Sequence, residues 1–319
     1  MADRGDPKLL IQPAQRLESQ EEAAVRSNSR LPAIPAGLVT LFLACATPVA
    51  RDYVSEIEAW RVDREERLKA DDGWLTLSGL FFLAEGDNSF GSSPTNDIVL
   101  RTGPAHAGVF SLRDGAITAR APEGETLSVN GHDTAVAQLS PCEGDDRPTI
   151  TLGPLKLFCH LSGDRLAIRV RDRESDIRRG FTGLRWYPVD EAYRIRGRYI
   201  PHSEPHTIEL SNNLGDVLKV QTNGSVALEL DGQELRLTAV DYDDRLWFIF
   251  RDLTSGSETY PAARFLYADP PGADGRTTVD FNRAYNPPCA FNPHTTCPLP
   301  PLENRLAVRI EAGELDYHD

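Results

Sequence analysis

The chain has 319 residues, of which 40% are hydrophobic and 26% charged, and its formal net charge is −14. The length and the hydrophobic content suffice for a folded protein with a sizeable core, and for two domains. The negative charge argues against sequence-independent binding to nucleic acid and disfavours adsorption to an anionic membrane. We therefore expect no nucleic-acid partner.

The first fifty residues form two compositional segments. Residues 1–30 are polar and lack periodicity, so we predict a disordered leader. Residues 31–50 are apolar, but the core of this run, Ala36 to Ala46, is too short to span a bilayer as a helix and has the dimensions of a signal-peptide core. Cys45 stands where a lipoprotein carries its acylated cysteine, which makes it a candidate lipid anchor. We predict an exported or envelope-associated protein, with a cytoplasmic protein as the alternative.

The cysteines fit an oxidising compartment. If Cys45 is removed or acylated, four cysteines remain, an even number suited to two disulfides. Cys289 and Cys297 are close enough to close a small loop, and Cys142 and Cys159 flank a predicted hairpin. Buried thiols of a cytoplasmic protein are the alternative interpretation. Cys289, His294 and Cys297 lack a standard zinc spacing and a fourth ligand, so we predict no metal site.

One helix is predicted, within residues 51–73. Tyr53, Ile57, Trp60 and Leu68 share a stripe at helical spacing, and Asp72-Gly73 ends the segment.

Beyond Trp74 the pattern is that of short strands separated by turn signals. The clearest example is residues 217–252, where Asn223-Gly224 and Asp231-Gly232 are predicted as two tight turns between three strands, before a buried fourth strand at Leu246–Phe250. We predict a mainly β protein with a first β segment at 74–137. A second antiparallel barrel or sandwich follows at 138–319.

Residues 90–131 resemble a forkhead-associated domain, an eleven-strand sandwich that binds phosphothreonine. The matching residues are Phe90-Gly91, Asn96 to Leu100, His106-Ala107 and Val129-Asn130-Gly131. The phosphate-holding arginine and serine of that family are replaced by Ser92 and Gly103. The resemblance therefore implies a shared fold without phosphothreonine binding.

Several motifs from Trp60 onward belong together: Asp72 to Leu77, Arg169 to Asp172 with Phe181, Phe250 to Asp252, Thr259 to Pro261, Asp280 to Phe291, Cys297 to Pro301, Glu303 to Leu306 and Glu311 to Glu314. In these motifs the chain resembles the bacterial and archaeal domain-of-unknown-function 1684 family. The resemblance implies a shared fold and a shared site, and supplies no activity.

The segment 280–305, here called the signature loop, is the candidate site. Its proline-rich stretch is too long for an ordinary strand connection. Asp280, Asn282, Arg283, Tyr285 and Asn286 supply a carboxylate, two amides, a guanidinium and a phenol within seven residues. That set suits a small polar ligand such as a sugar or carboxylate. Alternatively, Asn282, Tyr285 and Asn286 satisfy the backbone of the loop.

A second polar group surrounds the predicted buried strand 246–250. Arg251, Tyr260 and Arg264 follow this strand and are predicted at the mouth of the same pocket. The sequence contains no standard nucleophile, phosphate-loop or zinc-protease motif, and it does not indicate which cofactor the protein would use. We predict a protein that binds a small polar ligand or a partner protein near residues 280–305. The alternatives are a hydrolase that uses Asp280, Tyr285 and Arg251, and a structural envelope protein.

Overall fold

The computed structural model describes residues 52–142, 144 and 146–318. The predicted leader, the signal-like segment and Cys45 lie outside the described residues. The described chain is mainly β, as predicted, with one long helix near its beginning. Among the described helices, none has the length and apolar character needed to cross a bilayer.

Helix α1 spans Tyr53–Lys69. It starts where the Asp52 carboxylate accepts a hydrogen bond from the Ser55 N–H at 2.9 Å, an N-cap that satisfies one of the free amides of the first turn. Ile57 and Leu68 are buried, as the predicted stripe requires, and Arg64 is buried with them. The helix therefore packs on the protein with a cationic side chain in its inner face.

Residues 77–172 form the first β unit, in which eleven strands make two sheets around one core. The six-stranded sheet has the order β1-β11-β10-β9-β6-β7, and the five-stranded sheet has the order β3-β2-β4-β5-β8. The strands are β1 Leu77–Phe82, β2 Gly86–Gly91, β3 Ile98–Val99, β4 Gly108–Arg113, β5 Ala116–Arg120, β6 Leu127–Val129, β7 His132–Thr134, β8 Val136–Gln138, β9 Thr149–Leu152, β10 Leu155–Ser162 and β11 Arg165–Asp172.

The predicted boundary near residue 137 is wrong. Strand β11 pairs with β1, and β9 pairs with β6, so residues 149–172 complete the first sandwich. Composition gave no sign of this because the partners are distant in sequence. Cys142 and Cys159 form a disulfide inside this unit, with Cα atoms 4.8 Å apart, which agrees with the predicted pairing.

The second β unit is one antiparallel sheet of six strands in the order β16-β15-β14-β13-β12-β17. Part of each face is buried, one against the C-terminal residues 306–312 and the other against Tyr285 and Cys297 of the signature loop. The strands are β12 Arg194–Ser211, β13 Val217–Leu230, β14 Gln233–Tyr242, β15 Arg245–Phe250, β16 Arg264–Ala268 and β17 Arg276–Asp280. A short helix, α2, at Asp176–Arg179 precedes the unit.

The turn predicted at Asn223-Gly224 does not exist, because β13 runs through it. The ring of Tyr199 on β12 lies so close that a Cβ at Gly224 would be 2.5 Å from its hydroxyl oxygen. This glycine serves close packing between strands. Asp231-Gly232, in contrast, has positive φ at both residues and makes the predicted tight turn.

The two β units meet at the signature loop and at the β12–β13 turn. The Asn292 amide donates to the carbonyls of Trp74 and Leu77, at 3.2 and 2.7 Å. Buried His160 on β10 has its Nε2 3.1 Å from the Thr296 hydroxyl and 2.9 Å from an Arg169 nitrogen. Burial first, and the charge of Arg169 second, hold the pKa of His160 well below its ordinary value.

We expect the stability of the protein to fall in mild acid because of His160. In the folded protein this imidazole stays neutral, whereas in the unfolded chain it takes up a proton near pH 6.5. Protons therefore favour unfolding below that pH, by up to about 1.4 kcal/mol per pH unit. Denaturant titrations from pH 7.5 to 5 should show a shallower loss of stability in His160→Gln. His132→Gln, at an exposed site, should follow the wild type; equal slopes for all three proteins would contradict the assignment.

Candidate functional site

One polar cleft lies where helix α1 meets the sheet of the second unit, and we call it the arginine cleft. Its volume is about 330 Å³. Three lining residues come from helix α1, and the others come from the beginnings or ends of β12, β15, β16 and β17 and from the signature loop. They are Trp60, Asp63, Arg67, Arg194, Arg245, Tyr267, Ala268, Asp269, Thr278, Asp280, Arg283 and Tyr285.

Aromatic rings support two of the cationic groups of the cleft. The Arg194 guanidinium lies 4.8 Å from the centroid of the Tyr53 ring, and that of Arg245 lies 4.3 Å from the centroid of Tyr267. Such stacking limits the side-chain motion of each arginine and leaves the guanidinium edges as donors. Burial lowers the pKa of Arg245, and Tyr267 opposes this shift.

Asp280 is held by three hydrogen bonds on one oxygen. Its Oδ1 accepts from the Tyr53 hydroxyl at 2.8 Å, from the Asn282 N–H at 3.2 Å and from the Asn282 amide at 3.3 Å. The other oxygen, Oδ2, lies 3.6 Å from Arg283 Nε. The Tyr53 hydroxyl also accepts from the Asn282 amide at 2.9 Å, and burial, then Asp280, raise the Tyr53 pKa. Asp280 is thus a fixed carboxylate in the wall of the cleft.

Arg64 fixes helix α1 against the cleft. Its Nε donates to Glu314 Oε2 at 2.9 Å, and its Nη2 donates to the Asn286 carbonyl at 2.8 Å. The guanidinium also lies 4.2 Å from the centroid of the Tyr285 ring. Both charged side chains are buried, and burial raises the pKa of Glu314 although Arg64 opposes the shift. Pattern reasoning missed this pair, because Arg64 lies among charged helix residues and Glu314 is 250 positions away.

The structure separates the predicted site residues into two groups. Asp280, Arg283 and Tyr285 line the arginine cleft. Asn282 and Asn286 are fully buried, and their amides donate to the carbonyls of Asp190 and Leu315, at 2.8 and 2.7 Å. These two amides join the loop to other segments of the backbone, which is the kind of role that the alternative interpretation gave them.

The polar residues predicted around strand 246–250 lie outside the arginine cleft; they are Arg251, Tyr260 and Arg264. Arg251 follows the far end of β15, six residues from Arg245, which is about 20 Å along a strand. Asp280 and Tyr285 line the arginine cleft and Arg251 does not, so this cleft does not gather the proposed hydrolytic trio. The Tyr260 hydroxyl donates to the Cys289 carbonyl at 3.1 Å, within the loop packing.

Arg264 belongs to the core rather than to a pocket mouth. Its side chain is completely buried and donates to Asp252 Oδ2 at 2.6 Å, to the Ile310 carbonyl at 3.0 Å and to the Ala312 carbonyl. These bonds attach the C-terminal segment to the sheet. The sequence around Arg264 does not reveal such a role, since the partners are up to 48 residues away.

Cys289 and Cys297 are thiols in the structure and do not form the predicted disulfide. The Cys289 N–H donates to Cys297 Sγ at 3.2 Å, and burial raises the pKa of the Cys297 thiol. Their closeness in sequence was a sound reason to expect proximity but not a bond. Among the residues that the structure describes, no group of three or more His, Cys, Asp or Glu side chains is placed to hold a metal ion.

The comparisons with known proteins concern mainly the second unit. Residues 179–315 match the model of a family described as "Protein of unknown function (DUF1684)". Over this segment the chain is therefore similar to that family. The matched segment contains the β12–β17 sheet, the signature loop and most of the arginine cleft, whereas helix α1 and the first β unit precede it.

A solved structure gives a further likeness. The solution NMR structure of an uncharacterized protein of Haloarcula marismortui is 32% identical, with 44% of this chain and 81% of that chain covered and a TM-score of 0.38. No curated protein matches the chain.

Replacing Tyr53 with Phe tests the wall of the cleft. The change removes a hydroxyl that both donates to Asp280 and accepts from Asn282, so we expect a loss of about 1–2 kcal/mol in the free energy of unfolding. Tyr317→Phe is the control, because no hydrogen bond of the Tyr317 hydroxyl occurs among the described residues. Urea titration measures both variants, and an equal effect of the two changes would refute the role of Tyr53.

Replacing Arg264 with Leu tests the core assignment. The change leaves the Asp252 carboxylate buried without its cation, which typically costs about 3–5 kcal/mol. Arg305→Leu, which changes an exposed arginine at the end of the signature loop, should stay within about 0.5 kcal/mol of the wild type. A stable Arg264→Leu protein with weakened ligand binding would instead restore the pocket role.

Proposed function

We propose that the protein binds a small, polar, anionic molecule in the arginine cleft. The observation that carries this proposal is the excess of cationic side chains there, in a chain with a net charge of −14. Four arginines line the cleft against three aspartates. An acidic protein gains nothing in solubility by gathering guanidinium groups in a concave site, whereas an anionic ligand gains charge-assisted hydrogen bonds.

The geometry favours a compact, polar ligand over a flat aromatic one. The Tyr267 and Tyr285 rings lie under Arg245 and Arg64 and expose little surface, so their faces are already occupied. The remaining wall offers Asp280, Asp63 and Thr278 as acceptors for hydroxyl groups of a ligand. A carboxylate or phosphate on a hydroxylated carbon skeleton combines both requirements.

The first β unit serves, in the same proposal, as a forkhead-associated-like scaffold rather than as a phosphothreonine reader. Its eleven strands in two sheets support the likeness of fold. At the positions of the phosphate-binding residues, the Ser92 hydroxyl donates to the Gly103 carbonyl at 2.8 Å. Neither position supplies a guanidinium.

Calorimetry with inorganic phosphate and citrate tests the proposal, at constant ionic strength so that screening is equal throughout. We expect the wild type to bind at least one of these anions, and glucose to bind more weakly than either. Arg194→Gln and Arg245→Gln should each weaken anion binding about 10- to 100-fold, the usual worth of a charge-assisted hydrogen bond.

Arg196→Gln is the matched control, because Arg196 lies two residues away on β12, is exposed and pairs with Asp274. It should bind anions like the wild type. An equal loss in Arg196→Gln, or no binding of either anion to the wild type, would overturn the proposal.

A further inference from the structure

Two histidines on β12 come together at an irregularity in the sheet, far along the strand from Arg194. The β12–β13 register passes from Pro201 opposite Gly224 to His206 opposite Thr222. Four residues of β12, 202–205, therefore face the single residue Asn223. Pro201 and Pro205 have no N–H to donate to a ladder, which agrees with a bulge at this place.

The bulge brings the two imidazole rings into contact. The ring centroids of His202 and His206 are 4.4 Å apart, with the ring planes tilted by 48°. His206 is exposed and His202 is half-buried. A spacing of four residues brings side chains together on a helix, which Pro201 and Pro205 forbid here. The bulge achieves the same proximity in a strand.

Buried Thr222 sets which nitrogen of His202 is available. The Thr222 hydroxyl donates to the Gly224 carbonyl at 3.2 Å, and the same oxygen lies 3.3 Å from His202 Nε2. Since its proton is used, the hydroxyl oxygen accepts from Nε2–H, and the lone pair of the ring then lies on Nδ1. An imidazole that donates through one nitrogen and offers the other is the arrangement of metal-ligating histidines.

From this pair we infer that His202 and His206 form a site for a divalent transition metal ion such as Zn²⁺ or Ni²⁺. Two imidazoles in contact supply adjacent nitrogen ligands, and imidazole suits these ions better than it suits Mg²⁺ or Ca²⁺. The described residues place no third His, Cys, Asp or Glu ligand beside the pair. Water or a carboxylate from outside the site therefore completes the coordination.

The charges around the pair permit a cation. Burial, then His206 and Arg236, lower the pKa of His202. The positive charge of Arg236 disfavours a metal ion nearby. The Nε of this arginine donates to Ser225 Oγ at 2.7 Å. Burial raises the pKa of Asp241, and its buried Oδ2 has no partner among the described residues.

The test is a calorimetric titration of tag-free, chelator-treated protein with Ni²⁺ and Zn²⁺ at pH 7.5. We expect one equivalent to bind, a loss of affinity of at least 10-fold in His202→Ala and in His206→Ala, and no measurable binding in the double variant. Thr222→Val should weaken binding without removing a ligand. The matched controls are His132→Ala and His318→Ala, exposed histidines elsewhere, which should bind like the wild type.

Three results would overturn the inference. They are the absence of binding to the wild type, unchanged binding to the double variant, and binding that survives in the double variant but is lost in Cys297→Ser. The last result would assign the metal to the thiols of the signature loop. Because the arginine cleft is not involved, anion binding to the double variant should remain at the wild-type level.

Discussion

The buried ion pair between Arg64 and Glu314 is the constraint on which the arrangement of the candidate site depends. It connects helix α1 to the C-terminal segment, and through the Asn286 carbonyl it connects both to the signature loop. A buried charge is tolerated only when its partner and hydrogen bonds are in place, so the helix has one favourable position. That position brings Trp60, Asp63 and Arg67 to the cleft.

The cleft is therefore a shared product of two parts of the chain. The family-matched segment supplies the arginines at strand ends, and the preceding helix supplies the opposite wall. The aromatic rings beneath Arg194 and Arg245 place their guanidinium groups before any ligand arrives. Preorganisation of this kind lowers the entropic cost of binding and favours a defined anion over non-specific attraction.

Local chemistry in the sequence predicted a good part of this structure. The helix at 53–69, the mainly β content and the tight turn at Asp231-Gly232 follow from periodicity and turn chemistry, which act within a few residues. Asp280, Arg283 and Tyr285 were selected for their density in one proline-rich segment, and all three line the arginine cleft.

The sequence did not reveal the contacts that several polar residues make with segments far away along the chain. Asn282, Asn286 and Arg264 looked like ligand-binding groups because polar residues usually face solvent. Their partners are backbone carbonyls of segments that only the fold brings near, at positions 190, 315, 310 and 312. Likewise, no local pattern shows that β11 pairs with β1, or that Arg194 and Arg245 line the same cleft.

The measurement that tests the account most directly is a crystal structure of the protein grown with tungstate, an analogue of phosphate whose position anomalous scattering identifies. The account predicts a tungstate ion in the arginine cleft, within hydrogen-bond distance of Arg194 or Arg245. Ordered tungstate bound only outside the cleft, with the two guanidinium groups unchanged and facing solvent, would contradict it.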